Sequence, residues 1–227
     1  ISKDFLDQSK WVDSIYNNLS LDEKIGQLFF VQSTSKKENN SKKIFDDINN
    51  HSIGGVIFST GNPSRQVNLT NKFQKSSDIP LLISIDGEWG VGMRLDSVHK
   101  FPWNMSLGAI KNNLILEKIG EDIGEQFNRL GIHMNFAPVI DINTNPKNPI
   151  IGNRSYGENK INVSKKGISF TKGIQSKNIL ATAKHFPGHG DTSKDSHLTL
   201  PTIDFSKKRI NEVELYPYKQ LIKSGLS

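Results

Sequence analysis

Five apolar runs set the limits on what this chain can fold into: Gln27 to Gln32, Gly54 to Phe58, Pro80 to Asp86, Met134 to Ile142 and Ile179 to His185. Each is followed, sooner or later, by a stretch with helical periodicity. The runs are continuously apolar rather than alternating, which is the pattern of strands buried on both faces. Strand–helix alternation of this kind builds a parallel sheet with crossover helices.

Local signals mark the helices. Ser20-Leu21-Asp22-Glu23 is a capping box at the start of a short helix. Ser41 opens a helix to about Asn50. The turn Gly61-Asn62-Pro63-Ser64 ends in a helix cap, and that helix runs to about Lys75. Leu116, Ile119, Ile123, Phe127 and Leu130 recur at helical period over 112–130, with Gly131 placed to end the helix. Two further helices are expected, from Asn162 to Lys177 and from about Lys208 to Lys223, the second bent by Pro217. Residues 1–19 read as a lead-in with Phe5, Trp11, Ile15 and Leu19 at roughly helical spacing, and Asp86 to about Ala109 as one long glycine-bearing loop.

The strand ends are polar: Asp86, Asp141 and Lys184-His185. A (β/α)8 barrel gathers its active site at the carboxyl ends of its strands, so that α/β architecture fits. A doubly wound open sheet also fits the alternation, but the turn after the first strand lacks a G-x-G-x-x-G. A full barrel has eight strands and typically about 250 residues. Five strands are found, so residues 1–227 are expected to be the N-terminal portion of a single barrel domain, with the remaining strands beyond residue 227. By themselves, five strands would leave two open edges, and that piece is expected to be inactive and poorly folded.

Composition excludes several classes. There is no cysteine, hence no disulfide, thiolate nucleophile or thiolate metal site. The net charge of +6 comes from scattered lysines, with pairs such as Lys36-Lys37 and Lys165-Lys166 and no basic stripe interleaved with aromatics, which argues against nucleic acid as a partner. No apolar run is long enough to span a bilayer, and no signal peptide is visible at Ile1-Ser2-Lys3-Asp4.

The chemistry concentrates between Lys184 and His197. Lys184 and His185 close the fifth strand, Pro187, Gly188 and Gly190 open a loop, and the loop returns Asp195 and His197. In extended backbone, residues two apart point the same way, so Asp195 can hold one ring nitrogen of His197 and leave the other free for proton transfer. His185, His189, Asp191, Asp195 and His197 could instead be metal ligands, but they lie on a glycine loop without H-E-x-x-H spacing. Asp86 to Arg94, with Glu88 and Trp89 inside it, offers an acid, an aromatic and an arginine suited to a polyol, or else forms a plain surface turn. Arg154, between Gly152 and Gly157, reads alone as a solvated loop residue. His51, His99 and His133 read as surface or packing residues.

Lys184-His185-Phe186-Pro187-Gly188-His189-Gly190 followed by Asp195-Ser196-His197 resembles the signature of family 3 glycoside hydrolases, and among them the bacterial β-N-acetylglucosaminidase branch. The likeness continues through Leu21 to Phe29, Gly54 to Ile57, Ile85 to Glu88, Asn135 to Asp141 and Asn153 to Gly157, in order along nearly the whole chain. It implies a (β/α)8 barrel and retaining removal of terminal, non-reducing β-N-acetylglucosamine, with peptidoglycan fragments as substrate and no cofactor; that no metal takes part is expected from the loop placement and ligand spacing above. It further implies that Asp86, Arg94, Arg154, Lys184 and His185 bind the sugar, that His197 is the general acid/base and that Asp195 is its partner. By the same resemblance the nucleophile is an Asp beyond Ser227. Gly87 stands where many relatives carry Gln, and Trp89 where many carry Gly. A β-glucosidase of the same family is the rival enzyme, and a catalytically inactive sugar-binding module the rival of another class. The bacterial cell envelope is preferred to the cytoplasm; nothing in the sequence sets the oligomeric state.

Overall fold

The computed structural model describes residues 3–193, 202 and 205–227. Its elements run α1 (Lys3–Tyr16), α2 (Leu21–Gly26), β1 (Phe30–Ser35), α3 (Ser41–His51), β2 (Gly55–Gly61), α4 (Pro63–Ser76), β3 (Leu82–Ile85), α5 (Asn104–Gly108), α6 (Asn113–Arg129), β4 (Met134–Asn135), α7 (Lys160–Gln175), β5 (Leu180–Ala181), α8 (Lys207–Glu212) and α9 (Tyr216–Lys223). Two single 3₁₀ turns, Val91–Met93 and Gly152–Arg154, lie in the loops after β3 and β4.

The five strands form one sheet in the order β1-β2-β3-β4-β5, and every neighbouring pair is parallel. A doubly wound sheet reverses its strand order at a switch point. Strictly sequential order is that of consecutive strands in a (β/α)8 barrel, and it removes the open-sheet alternative. The register sets Gly55 beside Leu82, Ser84 beside Met134, and Met134 beside Leu180.

Helix ends follow side-chain chemistry. The capping box forms: the Ser20 hydroxyl accepts from the Glu23 N–H, and the Glu23 carboxylate accepts from the Ser20 N–H at 2.8 Å. The cap of α4 is Asn62 rather than Ser64; its Oδ1 accepts from the Arg65 N–H at 3.3 Å, which leaves Pro63 in the first turn, where its missing N–H costs nothing. Asn159 caps α7 three residues before the expected start, accepting from the Ile161 and Asn162 N–H groups. Gly131, at φ +66°, ends α6 as its sequence position predicts.

Other expectations need correction. The last turn of α2 draws in Gln27 to Phe29, whose N–H groups bond to Glu23, Ile25 and Gly26, so β1 starts at Phe30. The fourth and fifth runs remain extended, but their regular ladder is only two residues long. Pro138, without an N–H, interrupts it; pairing resumes where Ile140 donates to Lys184 O at 2.8 Å. Pro217 does not bend one long helix: it sits in the first turn of α9, separate from α8. The helical spacing of the lead-in, by contrast, is met by α1, which leaves Trp11 exposed and Ile15 half-buried.

The main core lies between sheet and helices: Val56, Phe58, Ile83 and Ile85 pack on Phe73, Ile123, Phe127, Phe170 and Ile174. A second cluster, around Leu116, Ile140, Tyr156, Val163 and Leu221, supports the loops after β4 and β5. Helices α6 and α7 meet closely at Gly120 and Gly173; a Cβ on Gly173 would lie 2.0 Å from the Glu117 carbonyl. Among the described residues no helix is long and apolar enough to cross a membrane.

Candidate active site

The carboxyl ends of β3, of the extended run after β4 and of the run after β5 bring one ionic network together. Asp86 follows the last residue of β3. The buried Asn135 side chain, at the end of β4, accepts from the Gly87 N–H at 2.9 Å and donates to the Gly87 carbonyl at 3.2 Å, which fixes the start of the next loop. That loop buries Glu88 completely and then returns Arg94 to Asp86: Nη2 to Oδ2 at 2.5 Å and Nε to the carbonyl at 2.9 Å. Arg94 is held from the other side as well, because the Gly61 N–H at the end of β2 donates to its carbonyl.

Lys184 bridges two acids, with Nζ 2.5 Å from Asp86 and 2.9 Å from Glu88. Arg154 comes from the 3₁₀ turn after β4, where the Asn104 side chain holds its carbonyl at 2.7 Å. Its guanidinium forks onto Glu88, Nε to Oε2 at 2.9 Å and Nη2 to Oε1 at 2.6 Å. The same Nη2 lies 3.1 Å from His185 Nε2. A guanidinium can only donate, so Nε2 accepts and the ring proton sits on Nδ1, which donates to Asp141 Oδ2 at 2.6 Å. Asp141 also accepts from the backbone N–H groups of His185 at 3.1 Å and His189 at 2.6 Å, and so anchors the turn after β5.

Three acidic side chains, Asp86, Glu88 and Asp141, thus stand among three basic ones, Arg94, Arg154 and Lys184. Burial would raise the Asp86 carboxyl, but the Lys184 ammonium and the Arg94 guanidinium outweigh it and hold the group below its ordinary value. Burial would likewise lower Arg154, and Glu88, Asp86 and Asp141 around it raise it instead. A depressed folded-state value stabilises the fold above the ordinary carboxylate range, and the gain is lost as pH falls through the folded value. Lys184→Met should therefore move the acid edge of the stability profile to higher pH, read as melting midpoint against pH. An unmoved acid edge would mean that Lys184 does not control Asp86.

All five residues expected to bind the sugar, Asp86, Arg94, Arg154, Lys184 and His185, lie in this one network. Sequence reasoning did not place Glu88 or Asp141 among the sugar-binding or catalytic residues, although they hold the others in place. Asp141 was visible as a polar strand end; nothing in the sequence separates Glu88 from an ordinary loop acid. Asp195 and His197 fall outside the described residues. The stems of their segment are tied: Arg209 reaches Asp191 at 3.3 Å and Glu214 at 3.1 Å, and Phe186 packs edge-on to Tyr218.

Of the candidate metal ligands that are described, His185 and His189 spend their Nδ1 atoms on Asp141 and on the Thr192 hydroxyl, and Asp191 is paired with Arg209. Among the described residues no three His, Asp or Glu side chains come together in a metal-holding group. His51, His99 and His133 stand outside the network: His51 is exposed at the end of α3, His99 packs edge-on to Phe101, and His133 Nδ1 accepts from the Ile83 N–H at 3.1 Å.

What remains accessible is polar and rigid. Parts of Asp86, Arg94, Lys184 and His185 face outward while their other atoms are held by neighbours. Preset donors beside carboxylate acceptors match a ring of hydroxyl groups, each of which donates and accepts.

The model of the glycosyl hydrolase family 3 N-terminal domain matches residues 20–227. β-Hexosaminidase A of Pseudoalteromonas piscicida is 38% identical over 191 residues, 78% of this chain and 32% of that protein. The structure of a glycoside hydrolase family 3 β-N-acetylglucosaminidase from Paenibacillus sp. str. FPU-7 aligns with a TM-score of 0.84 at 37% identity, over 92% of this chain and 41% of the other. A β-glucoside phosphorylase, BglX, bound to 2FGlc, aligns with a TM-score of 0.93 at 28% identity, over all of this chain and 40% of the other. The chain spans a third to two fifths of the length of these relatives.

Proposed function

The chain belongs to the family 3 glycosyl hydrolases, and from that premise we propose that it supplies the N-terminal part of the catalytic barrel of a retaining β-N-acetylglucosaminidase. The observation that carries this reading is the shared network of Asp86, Glu88, Arg154, Lys184 and His185 at the strand ends. It supports a site that grips one terminal sugar through its hydroxyls, and the relatives named above act on N-acetylglucosaminides or hexosaminides more often than on glucosides.

In this mechanism Asp86, Lys184, Arg154 and His185 orient the sugar. An Asp supplied from outside these 227 residues attacks the anomeric carbon, and the bond to the leaving oxygen breaks as His197 gives that oxygen its proton. His197 then takes a proton from water, the water attacks the same carbon, and the enzyme carboxylate is released. Asp195 keeps the His197 ring in the right tautomer and steadies its protonated form. The usual two-carboxyl arrangement is thereby altered at one position only. Peptidoglycan fragments are the proposed natural substrate and the cell envelope the proposed location.

The rival within the family is a β-glucoside-active enzyme, favoured by the BglX likeness. The test takes the full-length protein and compares methyl N-acetyl-β-glucosaminide with methyl β-glucoside, with and without inorganic phosphate. We expect release of β-configured N-acetylglucosamine from the first alone, independent of phosphate. Preference for the glucoside would overturn the substrate, inversion of the first-formed sugar the mechanism, and a requirement for phosphate the hydrolytic reaction. Absence of activity with intact sugar binding would mark a binding module.

A further inference from the structure

Beside the network lies an aromatic pair that the proposed chemistry does not use. Trp89 and Trp103 stack with ring centroids 4.5 Å apart and planes 28° apart. Trp103 keeps 48% of its surface exposed, while Trp89 behind it is half-buried. Each is one residue from a group bonded to Arg154. Trp89 follows Glu88, whose carboxylate holds the guanidinium, and Trp103 precedes Asn104, whose fully buried amide donates to the Arg154 carbonyl.

Leaving a large ring open to water forfeits apolar burial, and a second indole packed beneath it fixes the plane of the first. A rigid, half-open aromatic surface beside hydroxyl-binding groups suits one ligand chemistry: the face of a pyranose ring. Its C–H groups carry slight positive charge and are drawn to the electron-rich face of an indole, while its hydroxyls stay at the rim. The sugar held by Asp86, Lys184 and Arg154 is gripped through polar contacts, so the platform beside it suits the next sugar of a chain.

We infer that Trp103, backed by Trp89, is a stacking platform for the sugar ring on the leaving-group side of the scissile bond, and so makes the site select saccharide over small alkyl leaving groups. The inference rests on the glycosidase reading above.

The test uses the full-length protein with N,N′-diacetylchitobiose and methyl N-acetyl-β-glucosaminide. Trp103→Ala should lower the ratio of kcat/KM for the disaccharide to kcat/KM for the methyl glycoside by about tenfold, mostly through KM. Trp103→Phe should restore most of it. An equal loss on both substrates would make the pair a structural brace, and an unchanged ratio would overturn the platform. Failure of the wild type to cleave either substrate would sink the glycosidase reading instead. The platform is then read by quenching of tryptophan fluorescence on titration with the disaccharide, which must disappear in Trp103→Ala if the inference is right.

Discussion

Replacing Glu88 by alanine is expected to destabilise the barrel domain by about 3 kcal/mol and to abolish measurable sugar binding. The Glu88 side chain is completely buried, and it is the shared partner of Arg154 and Lys184. Removing one member of a buried ionic group leaves the others desolvated, at a cost of about 3–5 kcal/mol. The lower end applies because both cations keep some access to water, at 19% and 15% of their side-chain surface. Each also retains other partners, His185 and the Ile150 carbonyl for Arg154 and Asp86 for Lys184. A domain holds only about 5–15 kcal/mol of net stability, so the shift in denaturant midpoint should be large. Glu88→Gln keeps the shape and one acceptor and should lose less. A Glu88→Ala midpoint indistinguishable from wild type would show that the cations are solvated and that the network is not a rigid platform.

That network explains what could and could not be read from the chain. The strands were legible because each carries a continuous apolar stretch, such as Val56 to Phe58 in β2, and the helices because Ser20 and Gly131 carry their caps in their own chemistry. The misplaced edges have equally local causes. Pro138 breaks a ladder inside an apolar run, and Pro217 fits the first turn of a helix as well as it fits a bend. Helix α5 has five residues, too few for a periodic signal. For the site, Lys184 and His185 stand next to a strand end, and their position is fixed once the strand is found. Glu88 is different: its role depends on Arg154, which lies 66 residues away and arrives only through the fold. The pairing of Trp89 with Trp103 is hidden for the same reason, since two separate stretches of one loop must first be folded together.

The proton-transfer role proposed for His197 carries the largest expected kinetic effect. In the full-length enzyme, His197→Ala should slow hydrolysis of a substrate with a poor leaving group by about 10²–10⁴-fold, the usual contribution of a general acid/base. The loss should depend on the leaving group. A sugar or alkyl alcohol needs a proton as its bond to the anomeric carbon breaks, whereas an activated phenol departs as its anion. An aryl N-acetylglucosaminide should therefore recover much of the rate of the first step. The second step still lacks a base to activate water, so the glycosyl-enzyme should accumulate as a rapid burst followed by slow turnover. Added azide needs no deprotonation; it should restore turnover and give the β-glycosyl azide, the product of two displacements at one carbon. Asp195→Asn should reproduce this pattern in weaker form, because the ring keeps its place and loses only the charge that supports its protonated state. Azide rescue separates this from a mere loss of fold, since a collapsed site forms no glycosyl-enzyme to intercept. Wild-type rates with both kinds of leaving group would remove His197 from the reaction. Equal slowing of both, without a burst and without rescue, would leave it a structural residue, and the proton donor would have to be sought elsewhere.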